Sequence, residues 1–266
     1  MRLPPVAIAA LLTAACSIPQ SDASDILDGK ADDLDPSEVP ALAPGYAINL
    51  HSLLTFCEAE DGECVDDAET AQLDGLARLS LVQDGAGIAG ELELCFAMLT
   101  TPGGKRYATD TDAFSGGDPT ARMEPFPVTG RVVAVDDDPT LSLDRAGFAV
   151  GMQLDDPVTD ALATDEDDPR VVDLDEDGKP GISIKVSVGR VFLGARVVLE
   201  RLRGRIGDDG VLSGAADIGG ELAVYGDTIP FVNVGKKIDE ALAGYAFPEI
   251  VHEVTLVPDD RSCADL

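Results

Sequence analysis

The feature that most constrains this chain is a series of short β-branched and aliphatic runs, each closed off by Gly, Pro or Asp. The clearest is Ile182-Ser183-Ile184-Lys185-Val186-Ser187-Val188, whose strict alternation of apolar and polar residues is the signature of a half-buried strand. Glu91-Leu92-Glu93-Leu94-Cys95-Phe96 alternates in part. Runs of the same character occupy 46–56, 76–83, 88–98, 126–136, 181–189, 191–203, 211–225 and 250–257. Asp84-Gly85-Ala86-Gly87 and Gly207-Asp208-Asp209-Gly210 separate neighbouring runs with Asp-Gly turn chemistry, which suits hairpins. About eight short strands joined by turns predict a mainly β chain, an antiparallel β-barrel or sandwich with at most one or two short helices. Helical spacing is weak. The better window is 234–246, where Val234, Ile238, Ala241, Leu242 and Tyr245 share a face and Pro248 stops the helix; a second is 66–77. No repeat with a period of about 20 to 50 residues occurs, which excludes solenoids and propellers.

The N-terminus reads as an export signal. Arg2 is the sole charge before the apolar stretch Val6–Leu12, which is followed by the small residues Thr13, Ala14 and Ala15 and then Cys16. That stretch falls far short of the ~20 residues of a membrane-spanning helix, and no later run is long and apolar enough either. The organisation expected is therefore a signal peptide over 1–15, Cys16 with a disordered acidic linker over 16–44, and a single β-rich domain over 45–266. The linker reading rests on Asp22, Asp25, Asp28, Asp32, Asp33, Asp35 and Glu38 interspersed with Pro19, Pro36, Pro40 and Pro44. Such a stretch has little apolar area with which to offset the entropy of ordering it.

Charge narrows the partners. The 266 residues carry 50 Asp+Glu against 19 Lys+Arg, a formal charge of −31, so nucleic acid and anionic headgroups are repelled and cations attracted. The acids concentrate between Asp155 and Asp177, where Arg170 is the sole base. Within this segment Asp173, Asp175 and Asp177 alternate and are followed by Gly178, a pattern in which several oxygens can converge on Ca²⁺. An EF-hand is excluded, because Pro180 stands at the eighth loop position, Ile184 replaces the bidentate Glu at the twelfth, and a strand follows. Two readings remain: a weak Ca²⁺ site on Asp173, Asp175 and Asp177, or a solvated acidic turn in which Gly178, Pro180 and Gly181 lead into the next strand.

Four cysteines follow Cys16: Cys57, Cys64, Cys95 and Cys263. An even number in an exported chain favours disulfides over a metal site, since His51 and His252 are the only histidines and the spacing fits zinc poorly. Of the three pairings, Cys57 with Cys64 is the easiest closure, leaving Cys95 with Cys263 to pin the C-terminal tail to a core strand.

Two short motifs carry a resemblance. Leu12-Thr13-Ala14-Ala15-Cys16 resembles the lipobox of bacterial lipoproteins, with Thr13 where that family prefers Leu; the resemblance implies lipidation of Cys16. Asp168-Pro169-Arg170-Val171-Val172-Asp173-Leu174-Asp175-Glu176-Asp177-Gly178-Lys179-Pro180-Gly181-Ile182 and Asp28-Gly29-Lys30-Ala31-Asp32 are similar to motifs of exported lipoproteins of myxobacterial type. These imply a membrane-anchored lipoprotein of the cell envelope, at the outer membrane or cell surface, attached by its N-terminal lipid alone. They bring no activity.

Catalytic signatures are missing. There is no G-x-S-x-G elbow, and neither Gly103-Gly104 nor Gly116-Gly117 belongs to a phosphate-binding loop. With 50 acids a carboxylate pair carries no information, and the absence of Trp disfavours a sugar-stacking cleft. Arg201, Arg203 and Arg205 alternate on one strand face, as a solvated or ion-paired stripe able to face the acidic segment. The function expected is non-catalytic, a binding or surface-structural module with Ca²⁺ as its one candidate cofactor. The alternative is a small-molecule carrier with a lipocalin-like or avidin-like barrel pocket, recognisable by a cavity lined with inward apolar side chains. A hydrolase requires His51 or His252 to meet a Ser or carboxylate in a cleft.

Overall fold

The computed structural model describes residues 24–60, 63–64, 69–104, 106–109, 118–186, 189–229 and 245–266. Thirteen strands run through them: β1 (Ala31–Asp32), β2 (Gly45–Glu60), β3 (Glu63–Cys64), β4 (Glu69–Asp84), β5 (Gly87–Thr100), β6 (Arg106–Ala108), β7 (Phe126–Val135), β8 (Asp138–Leu143), β9 (Ala146–Val150), β10 (Ile182–Val186), β11 (Gly189–Ile206), β12 (Leu212–Asp227) and β13 (Tyr245–Pro258). One short helix, α1 (Ser24–Asp28), precedes them. All eight strand runs expected from the sequence lie on strands, and the chain is mainly β and antiparallel, as the patterning predicts.

Following the hydrogen-bonded ladders from β7 through β8, β11, β12, β13, β2, β4 and β5 leads back to β7, so eight strands close a circuit. It is not a uniform barrel. One edge of β11 is shared by three short strands in turn: β8 against Leu202–Arg205, β9 against Ala195–Leu199 and β10 against Gly189–Leu193. On the other edge β12 follows β11 throughout but meets β13 only from Leu212 to Ala215. Beyond Ala215 and Glu253 the two strands part, while β13 stays paired to β2.

The closed end is filled. Tyr46, Leu79, Leu81, Ile88, Val128, Val132, Leu141, Leu143, Leu212 and Leu256 form one buried cluster there. Alternation explains the burial: Leu73, Gly75, Ala77, Leu79 and Leu81 of β4 face inward opposite Ser52, Leu50, Ile48 and Tyr46 of β2. That pattern also corrects the helical window over 66–77. From Glu69 onward this segment is strand, because partners on both edges, β2 and β5, satisfy its backbone and its period is two. The window over 234–246 falls outside the described residues except for Tyr245 and Ala246, which belong to β13.

Two corrections concern the loops. Residues 24–44, expected to belong to a disordered linker, are docked on the barrel. Leu27 is buried, Leu34, Val39, Leu42 and Ala43 pack on the main core, and β1 pairs Ala31 with Val135 of β7. Of the arginine stripe, Arg201 and Arg203 face this segment, not the acidic one, and Arg205 is ion-paired with Asp136 and Asp138. Arg203 Nη1 donates to the carbonyls of Ile26 and Gly29 at 3.0 and 2.6 Å, and Arg201 Nη1 donates to that of Leu27 at 3.0 Å. A few aliphatic side chains and two guanidinium clamps thus hold a stretch whose composition reads as solvated. The acidic segment 151–181 in turn lays Met152, Leu154, Leu162, Ala163 and Val171 against Phe192, Ala223 and Tyr225 of the β11–β12 arm.

Candidate functional site

Where the barrel opens, the strands enclose a cavity of about 230 Å³. Its walls come from every strand of the closed circuit except β8, with β9 completing them: Leu50 and Leu54 of β2, Leu73 of β4, Leu94 of β5, Phe126 of β7, Phe148 of β9, Val197 and Leu199 of β11, Ile218 of β12 and Val254 of β13 are among the lining residues. Small residues make the room. Gly75, Ala77, Ala97, Ala216, Gly219 and Gly220 stand where larger side chains would fill the space. A Cβ on Gly75 would meet the Cβ of Leu50, its partner on β2, at 3.4 Å. Consistent with a hollow end, residues 72–76 of β4 and 93–98 of β5 are all half-buried, with no sharp inside and outside.

Among the described residues, only Asp74 and His252 break the apolar lining. They belong to two different polar pairs. His252 faces Ser52 across the β13–β2 ladder, and the Ser52 Oγ lies 2.8 Å from His252 Nδ1. Ser52 is fully buried, and burial pushes the His252 imidazole down to about 4, so it is neutral at physiological pH. His51, next in sequence to Ser52, projects from the opposite face of the strand, where its Nδ1 lies 2.9 Å from Asp74 Oδ1. Gln72 Nε2 donates to both oxygens of the same carboxylate at 2.9 and 2.8 Å.

The two histidines, 201 positions apart in sequence, therefore sit on adjacent strands, and each has a partner. The partners do not combine into a triad. Ser52 and His252 lack an orienting carboxylate among the described residues, and Asp74 is engaged on the other face with His51. Ser52 and Asp74 were not singled out from the sequence. The inward phase of Ile48, Leu50, Ser52 and Leu54 marks Ser52 as a polar residue in a core register, and Gly219-Gly220 inside a strand run signals missing side-chain volume. Nothing local predicts that His252 lies opposite Ser52.

The acidic triad does converge. One carboxylate oxygen from each of Asp173, Asp175 and Asp177 lies within 4.8 Å of the others, a group that offers a metal ion three ligands. Asp173 is exposed and Asp175 is buried, with 2% of its surface accessible. Protein donors already hold these groups: Asp173 accepts from the N–H of Asp177 and Gly178, Asp175 from the N–H of Ser183, and Asp177 from Lys179 N–H and Arg190 Nη1. The turn needs positive φ at Glu176 (54°), Gly178 (80°) and Gly181 (82°). At Gly181 a Cβ would stand 2.2 Å from the Leu193 carbonyl oxygen, so only glycine lets the loop enter β10 this close to β11.

Cys95 and Cys263 are joined by a disulfide with Cα atoms 5.0 Å apart, tying the tail to β5. Cys57 is buried and disulfide-bonded; the backbone of Cys64 pairs with Ala59, and its side chain, like all of Cys16 and Gly116-Gly117, lies outside the described residues. Among the described residues no helix is long and apolar enough to cross a membrane. Compared with family models, curated proteins and solved structures, the chain matches none.

Proposed function

We propose that this chain is an exported, lipid-anchored protein of the cell envelope whose β-domain binds a small apolar molecule without chemically changing it. The observation that carries the reading is the cavity of about 230 Å³ in the open end of the strand circuit, whose lining among the described residues is apolar apart from Asp74 and His252. It exceeds the roughly 150 Å³ that suffices for a benzene-sized guest in an apolar core. A purely structural module would be expected to fill such a space, since an empty apolar void forfeits dispersion contacts. Export and lipidation rest on the N-terminal sequence and on Cys16. With residues from 24 onward docked on the barrel, the tether from Cys16 is at most about 30 Å long, which keeps the domain near the membrane surface.

Fluorescence titration with the neutral probe N-phenyl-1-naphthylamine tests the reading. Saturable enhancement is expected for the wild type, together with its loss in Val197→Phe, which puts a ring into the cavity beside Phe148. A wild type that gives no saturable signal, or a folded Val197→Phe that binds equally well, overturns it.

A calcium brace at Asp173, Asp175 and Asp177 is a secondary proposal. Its support is the convergence of three carboxylates, one of them buried, in a strongly acidic chain.

A further inference from the structure

The cavity has one pole. Among the described residues its lining contains no Lys or Arg, and the Asp74 carboxylate is turned to His51 and Gln72. What remains is His252, whose Nδ1 is engaged by Ser52 and whose Nε2 has no protein partner among the described residues. The position matters. His252 immediately precedes Glu253, the first residue of β13 paired to β12, so it stands where those strands part. A guest with its polar end there would keep its hydrocarbon body against Leu50, Leu73, Leu94, Val197 and Ile218.

We propose, building on the carrier reading above, that His252 selects an uncharged amphiphile: a hydrocarbon body bearing a single hydroxyl, carbonyl or ester oxygen that hydrogen-bonds Nε2. An ionised head is disfavoured on two grounds. A carboxylate or ammonium moved into an apolar cavity without a counter-ion loses hydration that nothing there replaces. A carboxylate additionally approaches a chain of formal charge −31, and the buried imidazole remains neutral rather than offering a cation. The imidazole can serve either kind of oxygen. With Ser52 Oγ donating to Nδ1, Nε2 carries the proton and donates to a carbonyl; with the other tautomer it accepts from a hydroxyl.

The test is displacement of N-phenyl-1-naphthylamine from the full chain by 1-decanol, decanoate and decylammonium at neutral pH. The alcohol is expected to compete at a concentration at least about 10-fold lower than either ion. In Ser52→Ala/His252→Phe, which removes both polar partners together, the affinity for decanol relative to that for the probe is expected to fall by about 3- to 10-fold, the weight of one hydrogen bond. Equal or better competition by decanoate or decylammonium on the wild type overturns the head-group inference and needs no variant. So does an unchanged ratio of decanol to probe affinity in a folded double variant. If the probe itself fails to bind the wild type, the carrier reading falls and this inference with it.

Discussion

Acidifying the protein should weaken it through His252 before its carboxylates titrate. Burial lowers the folded-state value of this imidazole from 6.5 to about 4. Between those values the unfolded chain binds a proton that the folded chain refuses, so stability is fully present above the unfolded value and is lost as pH falls toward the folded one. Applied to these two values, linkage gives about 2 kcal/mol lost between about pH 7.5 and 5. For a domain of this size that corresponds to roughly 4 to 8 °C in Tm. The perturbation is Ser52→Ala/His252→Phe. Removing the imidazole alone would leave the fully buried Ser52 hydroxyl without its partner and add an unrelated cost. The assay is thermal unfolding followed by circular dichroism across that range. The wild-type Tm is expected to fall by this amount relative to the double variant. Parallel curves would refute the reasoning, because they would mean His252 is not desolvated in the folded state.

Further outcomes follow from other parts of the fold. Replacing Cys95 and Cys263 by Ala removes a cross-link spanning 168 residues, worth about 5 kcal/mol in the chain-entropy model; chemical denaturation should show a loss of at least half that, and a loss near zero would mean the tail is held by other contacts. Arg203→Ala frees the carbonyls of Ile26 and Gly29, so limited proteolysis should cut within 24–44 while the barrel stays intact, with a stability loss of about 1 to 3 kcal/mol. Chelation should lower Tm by several degrees if calcium braces Asp173, Asp175 and Asp177; a melt independent of Ca²⁺ disposes of that site.

Much of the fold was legible because period-two alternation is local. The runs that became β2, β4, β5, β7 and β10–β13 announce themselves by β-branched content and Gly or Asp-Gly boundaries. The strands β8 and β9 did not. Asp136 and Asp137 adopt φ of 53° and 68° in a tight hairpin, so β8 restarts at Asp138-Pro139, within what composition presents as an acidic loop. The docked N-terminal segment was hidden for a related reason. Its acids and prolines dominate the composition, whereas what holds it is a handful of aliphatic contacts and carbonyls met by Arg201 and Arg203, some 174 residues away.

The site was legible only in fragments. Cys95 with Cys263 followed from counting, and the 173–177 cluster from spacing. The cavity depends on where β12 leaves β13, a property of sheet closure that no window of residues encodes. The Ser52–His252 contact spans 200 positions and exists only once β2 and β13 pair.

Methyl-resolved NMR of the full chain, titrated with 1-decanol, tests the central claim most directly. The account predicts saturable shifts confined to Leu50, Leu73, Leu94, Val197, Leu199 and Ile218, which line the cavity, with the exposed Val82 and Leu53 as silent references. Shifts at Val82 or Leu53 alone, or none anywhere, would contradict it.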